Sequence, residues 1–266
     1  MNKFYIQNAF FLLNIFVYFN SEILATEPVP GNYTPHESTY QHPTDHSEKL
    51  FEENKHLLCT DPEEITNAVN LMNEALVYLV YYAKNDNDYE LCQTTYSSTI
   101  SYKKKHEGNT DVLKANLNFY DSNRYGEMII KLWDPDIPNL FNNGSVKISR
   151  VYNPNLVIVQ QRYAEDSRGH QKYFYALAKK AQISEDKAII VMTSADINDH
   201  NPSRKKYKNK IIKNANLFKT DIDSEEDIRK GKLKKIFVNI AGYLIEKKAD
   251  NLDITYIESI DGHSSI

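Results

Sequence analysis

The chain has 266 residues, 41% of them hydrophobic and 12% aromatic, with 19 tyrosines and 11 phenylalanines; that suits one medium domain or two small ones and excludes disorder throughout and a multi-span membrane protein. Thirty-two Lys and Arg against 36 Asp and Glu leave a formal charge of −4, too balanced for a nucleic-acid coat held by charge alone. Two cysteines exclude a disulfide-dense miniprotein and a four-cysteine zinc module.

The first predicted element is the apolar run Ala9 to Phe19 (AFFLLNIFVYF), preceded by Lys3 and followed by Ile23-Leu24-Ala25. It reads as a secretory signal peptide over residues 1–25, since it falls short of the roughly 20 residues a spanning helix needs. Residues 26–47 are rich in Pro, His, Thr and Ser without aliphatic periodicity, which predicts a flexible polar linker whose His36, His42 and His46 are solvated. The folded domain then covers 48–266. In a secreted chain, Cys59 and Cys92 flank one helical segment and either form a disulfide or stand as two buried thiols.

Asp61-Pro62-Glu63-Glu64 supplies an N-cap, a proline at the first helical position and a capping-box carboxylate. Ile65, Val69, Met72, Leu76, Leu79 and Ala83 follow at spacings of three and four, so Pro62 to Lys84 is a long amphipathic helix. Leu91 to Lys103 and Val112 to Tyr120 read as two strands about a turn at His106 to Asp111. Ser122 to Trp133 is a shorter helix stopped by Asp134-Pro135, with Asp134 explained as helix-end chemistry. Strands follow at Val146 to Tyr152, Leu156 to Tyr163, Lys172 to Ala181 and Ala188 to Ser194, joined by short turns that imply an antiparallel meander. Further strands are expected at Lys210 to Phe218, Lys234 to Lys247 and Leu252 to Ile260. Several strands are apolar on both faces, Leu156-Val157-Ile158-Val159 and Ile189-Ile190-Val191-Met192 among them. Both faces of the sheet must then be covered, by helices, a cavity or a partner. The order gives an α+β domain with helices packed on one side of a curved antiparallel sheet.

The sequence holds no glycine-rich phosphate loop, no H-E-x-x-H, no G-x-S-x-G and no Cys/His metal spacing, so the expectation is a binding protein without metal or organic cofactor rather than an enzyme. Trp133-Asp134, the strand pair Leu156 to Tyr163 and Lys172 to Ala181, Ala241-Gly242-Tyr243-Leu244-Ile245, Ile254-Thr255-Tyr256-Ile257 and Asp261-Gly262 resemble the landmarks of the START lipid-transfer domain. More closely, the N-terminal signal and the blocks LWDPDIPNLFNNGSVKISRVYNPNLVIVQQRY and YFYALAKKAQISEDKAIIVMTSADIND are similar to the fam-a exported proteins of rodent malaria parasites. The resemblance implies a helix-grip fold, a lipid-sized cavity, and binding or transfer of a phosphatidylcholine-like phospholipid. It also implies secretion, with export to the host cell or the parasitophorous vacuole. An antigenic or host-binding module that keeps the fold without cargo is the alternative, its host partner unidentified.

On that resemblance the lipid-contacting set is Trp133, Arg150, Tyr152, Val157, Val159, Gln161, Tyr163, Tyr173 and Tyr175, with Arg150 or Arg162 standing in for the phosphate-binding cation. The aromatic cage of mammalian phosphatidylcholine carriers aligns with Val159, Tyr173 or Phe174, Leu217 and Ser259, so it is not repeated as such. The chain ends at Ile266, where the family continues into a closing C-terminal helix, and that helix is expected to be missing. Arg204, Lys205, Lys206 and Lys208 open a basic run without an internal acid; it either touches an anionic membrane surface or is a solvated loop held by the acidic segment Asp221 to Asp227.

Overall fold

Proline at the first helical position and an aspartate before it start the longest helix where the sequence places it. In the computed structural model, which describes residues 43–94, 100–106, 110–137, 144–165, 169–203 and 205–262, the Asp61 carboxylate accepts from the Glu63 and Glu64 amides, and the helix runs Pro62–Lys84. Residues 1–25, read above as a signal peptide, and the expected linker as far as residue 42 lie outside the described residues. The rest of the linker does not: Pro43–Glu53 is a helix, α1, that buries His46, Ser47 and Leu50. His46 is therefore not a solvated linker histidine.

The helix Pro62–Lys84 is α2, and its buried stripe centres on Ala68, Leu71, Met72, Ala75, Leu79 and Tyr82. Ile65, Val69 and Leu76 flank it, partly buried. Alanines at the centre let the helix axis approach the sheet closely, while Leu71, Met72 and Leu79 each contribute about 1.5–3 kcal/mol by burial.

The sheet is built from β1 (Glu90–Thr94), β2 (Ile100–His106), β3 (Thr110–Tyr120), β4 (Ser145–Asn153), β5 (Leu156–Arg162), β6 (Lys172–Ser184) and β7 (Lys187–Thr193), closed by β11 (Phe237–Lys247) and β12 (Asn251–Asp261). Its order is β1-β2-β3-β12-β11-β7-β6-β5-β4, and β10 (Lys234–Lys235) adds to β6. The expected strand over Leu91 to Lys103 is thus two strands, paired with each other. Between β3 and β4 lies α3 (Tyr125–Trp133). Between β7 and β11 come β8 (Asp196–Asn198), paired in parallel with β9 (Lys219–Asp221), and the short helix α4 (Glu226–Arg229). The expected strand Lys210 to Phe218 does not form. The buried Asn209 side chain accepts from the Ile211 and Ile212 amides at 3.0 and 2.7 Å and donates to Thr193 Oγ1 and Asn239 O. It thereby offers the backbone a turn in place of a ladder.

Successive residues of one strand enter different cores. Ile189 and Val191 of β7 and Leu244 of β11 pack with α2, whereas Ala188, Ile190 and Tyr243 pack with Tyr125, Met128 and Ile129 of α3. Helices thus cover both faces of the sheet and not the one side expected, which is why its central strands are apolar on both sides. β12 is the last strand, and among the described residues only the turn at Gly262 follows it.

Cys59 is a buried free thiol whose amide donates to Val151 O at the β4 edge. Cys92 falls at the bulge of β1, the opposite edge strand, beyond a 23-residue helix about 35 Å long. A disulfide needs the two Cα atoms within about 7 Å, so Cys59 does not form the expected bridge.

The ion pairs that fasten α3 give the fold an acid limit. Hydrogen bonds from Arg124, and secondarily from Lys131, hold the Glu127 carboxyl down at about 2 against its burial. A carboxylate held below its unfolded value contributes stability that is complete above about pH 4.5 and is lost as pH falls towards 2. The urea midpoint is expected to be flat from pH 7 to 5 and to drop below pH 4. Arg124→Gln should flatten part of that drop, and an unchanged acid limb would remove Glu127 from the account.

Candidate functional site: an apolar cavity beneath the sheet

On the α3 side of the sheet, the inward side chains of five strands meet the end of α3. Val146 and Ile148 come from β4, Val157, Val159 and Gln161 from β5, Ala178 from β6, Ile190 and Met192 from β7 and Tyr243 from β11. Lys131, Leu132, Trp133 and Asp134 at the end of α3, Pro135 and Ile137 after it, and Leu50 of α1 line the rest, and the partly open cavity measures about 70 Å³. That is well below the roughly 300–1,000 Å³ of pockets that bury a drug-sized ligand.

The pairing of β5 with β6 decides which predicted residues reach this cavity. Val157 lies opposite Ala178, Val159 opposite Ala176 and Gln161 opposite Phe174, and directly opposed residues share a face. Trp133, Val157, Val159 and Gln161 line the cavity, and Tyr163 is on the same face, 6.3 Å from Phe174 ring to ring.

Tyr173 and Tyr175 do not belong to it. They stand opposite Arg162 and Gln160, on the α2 face, where the Tyr173 hydroxyl donates to Asp199 at 2.9 Å and Tyr175 bonds Gln160. Phe174, Ala176 and Ala178 take the cavity face in their place.

Arg150 and Tyr152 are also on the α2 face, the alternates of Val151, which packs towards the cavity. Both are held by Glu64. Its carboxylate accepts from Arg150 Nε and Nη2 at 2.8 and 3.0 Å, from the Tyr152 hydroxyl at 2.6 Å and from Thr220 at 2.9 Å. Burial, followed by the Glu64 carboxylate, pushes the Tyr152 phenol far above its ordinary range. This cluster clamps the first turn of α2 to β4 and has no path to the cavity. Glu64→Ala strands a half-buried guanidinium and a buried phenol, so a loss of about 2–4 kcal/mol is expected in chemical denaturation, with the cavity's ligand uptake unchanged. A loss below about 0.5 kcal/mol would show that the clamp is idle.

Further along the cavity face lies a polar group absent from the predicted set. Tyr243 and Tyr256, cross-strand partners, stack with centroids 5.1 Å apart and planes at 30°. The Tyr256 hydroxyl donates to Glu258 two residues on, and Glu258 is buried. Burial first, and the Glu258 charge second, raise the phenols of Tyr163, Tyr243 and Tyr256 and hold them protonated. An acidic side chain beside a stacked tyrosine pair is suited to a cationic or hydroxylated group. The i, i+2 spacing of Tyr256 and Glu258 on a strand was the signal for it.

Of the basic run, Lys205, Lys206 and Lys208 are exposed, with the Lys205 ammonium 4.5 Å over the Tyr207 ring; Arg204 lies outside the described residues. Among the described residues the acidic segment does not hold it. Asp227 pairs with Arg162, Glu225 with Lys147 and Arg162, and Asp223 with Arg229.

No protein-family model and no curated protein matches the chain. Among solved structures it is similar to the human StAR-related lipid transfer protein 5, with a TM-score of 0.54 at 9% identity over 75% of this chain and 84% of that one. It is likewise similar to human STARD10, with a TM-score of 0.52 at 12% identity over 73% of this chain and 69% of that one. The architecture is therefore α+β of the helix-grip class, and within that class the chain has the START fold.

Proposed function

We propose that this chain is a non-enzymatic lipid-binding protein that takes an acyl-bearing lipid into the cavity between the sheet and α3 and carries it between membranes. The observation that carries the reading is the cavity wall itself, in which Trp133, Val157, Val159, Ala178, Ile190 and Met192 converge beneath a sheet of START topology. Such a wall takes acyl chains by apolar burial, at about 25 cal/mol per Å². The START structures it resembles include one that is by its name a lipid transfer protein.

The finer reading is a phosphatidylcholine-like phospholipid, supported by the aromatic and anionic group of Tyr163, Tyr243, Tyr256 and Glu258. Membrane contact through Arg204, Lys205, Lys206 and Lys208 would add about 1 kcal/mol per basic residue at an anionic surface. Membership of the fam-a exported proteins, and passage through the secretory pathway on the 1–25 segment, are supported by the sequence blocks quoted above. The test is native mass spectrometry of the chain secreted from a eukaryotic host, followed by transfer of labelled phosphatidylcholine between vesicles. A reproducible co-purifying lipid and transfer above the vesicle background are expected; clean apo protein and no transfer would refute the reading.

A second reading, a host-binding module without cargo, is favoured by the 70 Å³ volume. Specific saturable binding to host cells by lipid-free protein is the result that would select it.

A further inference from the structure

A space of about 70 Å³ holds no acyl chain, so loading requires one wall to move; this inference rests on the lipid-binding reading. Most of the wall cannot. The strands that line the cavity are joined in one ladder from β11 to β4; displacing β11, β7, β6 or β5 breaks hydrogen bonds on both sides, and displacing the edge strand β4 breaks its seven-pair ladder with β5. Three walls lie outside the sheet: the end of α3, the turn of Asp134, Pro135 and Ile137 that is tied to it by Asp134 N to Ile130 O at 2.9 Å, and Leu50 of α1. The first is fixed by Met128 and Ile129, 3% and 1% exposed, and by the Arg124–Glu127–Lys131 ion pairs.

The attachment of α1 is of another kind. Of its 11 residues only His46, Ser47 and Leu50 are buried, a stripe one residue wide at each turn. One of its two principal polar contacts is poorly satisfied, and the other holds a buried charge. His46 Nε2 lies 2.8 Å from Asp134 Oδ2, yet both ring nitrogens are buried without an aligned hydrogen bond. On β6, the buried Lys180 ammonium donates to Pro43 O at 2.8 Å and to the Ser47 hydroxyl, 5.8 Å over the Trp133 ring. Burial, partly offset by Glu48, pulls its pKa down to about 8. Lifting α1 returns an imidazole and an ammonium to water, and that hydration offsets part of the exposure of Leu50 and the half-buried Phe51. Elements with few buried apolar contacts and unsatisfied polar groups lie at the low-stability end of a fold.

We propose that α1 is a hinged strap: it lifts off Asp134 and Lys180 to open the cavity beside Leu50 and Trp133, admits lipid, and docks again over it. The strap meets α3 where Gly126 faces Pro43, and a Cβ at Gly126 would stand 3.5 Å from Pro43 Cγ and Cδ. That is room for a cross-link.

The experiment places Pro43→Cys and Gly126→Cys in a Cys59→Ala, Cys92→Ser full-length chain and follows extraction of fluorescent phosphatidylcholine from phosphatidylcholine vesicles, oxidised and reduced. Extraction at least tenfold slower when oxidised, and restored by reductant, is expected. Equal rates would overturn the strap. A second readout does not depend on lipid: amides of α1 should exchange with deuterium at least tenfold faster than those of α3 in the untethered chain, and slow on oxidation. If no form extracts lipid, the lipid-binding reading fails and the exchange alone decides the strap. Protection of α1 equal to that of α3 would overturn it in either case.

Discussion

Val159→Asp is expected to abolish lipid uptake. Val159 is 8% exposed, and its side chain sits in the cavity wall between Val157 and Gln161 of the same strand face. Its cross-strand neighbours Ile148 and Ala176 are apolar, and Lys131, which also lines the cavity, is already paired with Glu127 at 2.9 Å, so the carboxylate would gain no free cation in the wall. An unpaired buried carboxylate costs several kcal/mol, and the group escapes that cost by taking up a proton or drawing in water. Either response makes the wall wet where an acyl chain must lie.

Two companions separate a blocked cavity from a damaged fold. Val159→Phe fills the space with an apolar ring and leaves the ladder intact, so it should fold and still exclude lipid. Ile183→Asp changes an apolar residue to the same acid on β6 where it is 54% exposed, and it should transfer at the wild-type rate. Transfer by Val159→Asp and Val159→Phe at the rate of Ile183→Asp would take the cargo out of this cavity.

Those residues were legible because β5 has a polar residue on each face to fix its alternation. Gln161 and Arg162 follow Val159, and the short turn at Pro154 and Asn155 leaves little freedom of register. The next strand had no such marker. Tyr173-Phe174-Tyr175-Ala176-Leu177-Ala178 is buried throughout, and a run apolar on both sides carries no alternation. Only its pairing, Gln161 against Phe174, shows that the two tyrosines point to α2. Arg150 and Tyr152 were misplaced for a related reason. The partner that claims them, Glu64, is 86 and 88 residues away in the chain and carries no local sign of it.

At the N-terminal side, a composition signal hid a local one. The Pro, His and Thr density of residues 26–47 reads as linker, yet Pro43 begins a helix whose Leu50 and Phe51 pack against the cavity side. What decided the outcome was tertiary: the Ser47 and Pro43 acceptors meet Lys180, a residue of β6. The α2 boundaries, by contrast, were set by the cap residues themselves and appear where Asp61, Pro62 and Lys84 put them.

Gly242→Ala is expected to prevent folding of the sheet at 37 °C. Gly242 lies in mid-β11 between Val191 of β7 and Ile257 of β12, where a β-branched residue would be ordinary. Its φ of +153° is one that L side chains rarely adopt, and a Cβ there would collide with Ile190 O and stand 2.9 Å from Val191 Cα. Both obstacles are backbone, so no side-chain rotation relieves them. The strand must move away, and β11 is the link between the β1-β2-β3-β12 half of the sheet and the β7-to-β4 half. Strain at a special φ together with lost ladder bonds belongs to the mechanisms that cost more than about 4 kcal/mol, a large share of the roughly 5–15 kcal/mol that holds a domain folded. Gly169 provides the comparison. Its φ is +75°, but nothing lies within 4 Å of an added Cβ, so Gly169→Ala should cost no more than about 1–2 kcal/mol. Thermal unfolding of the two variants side by side checks the argument: a cooperative transition for Gly242→Ala within a few degrees of that for Gly169→Ala would mean that the close approach of β11 to β7 is not required.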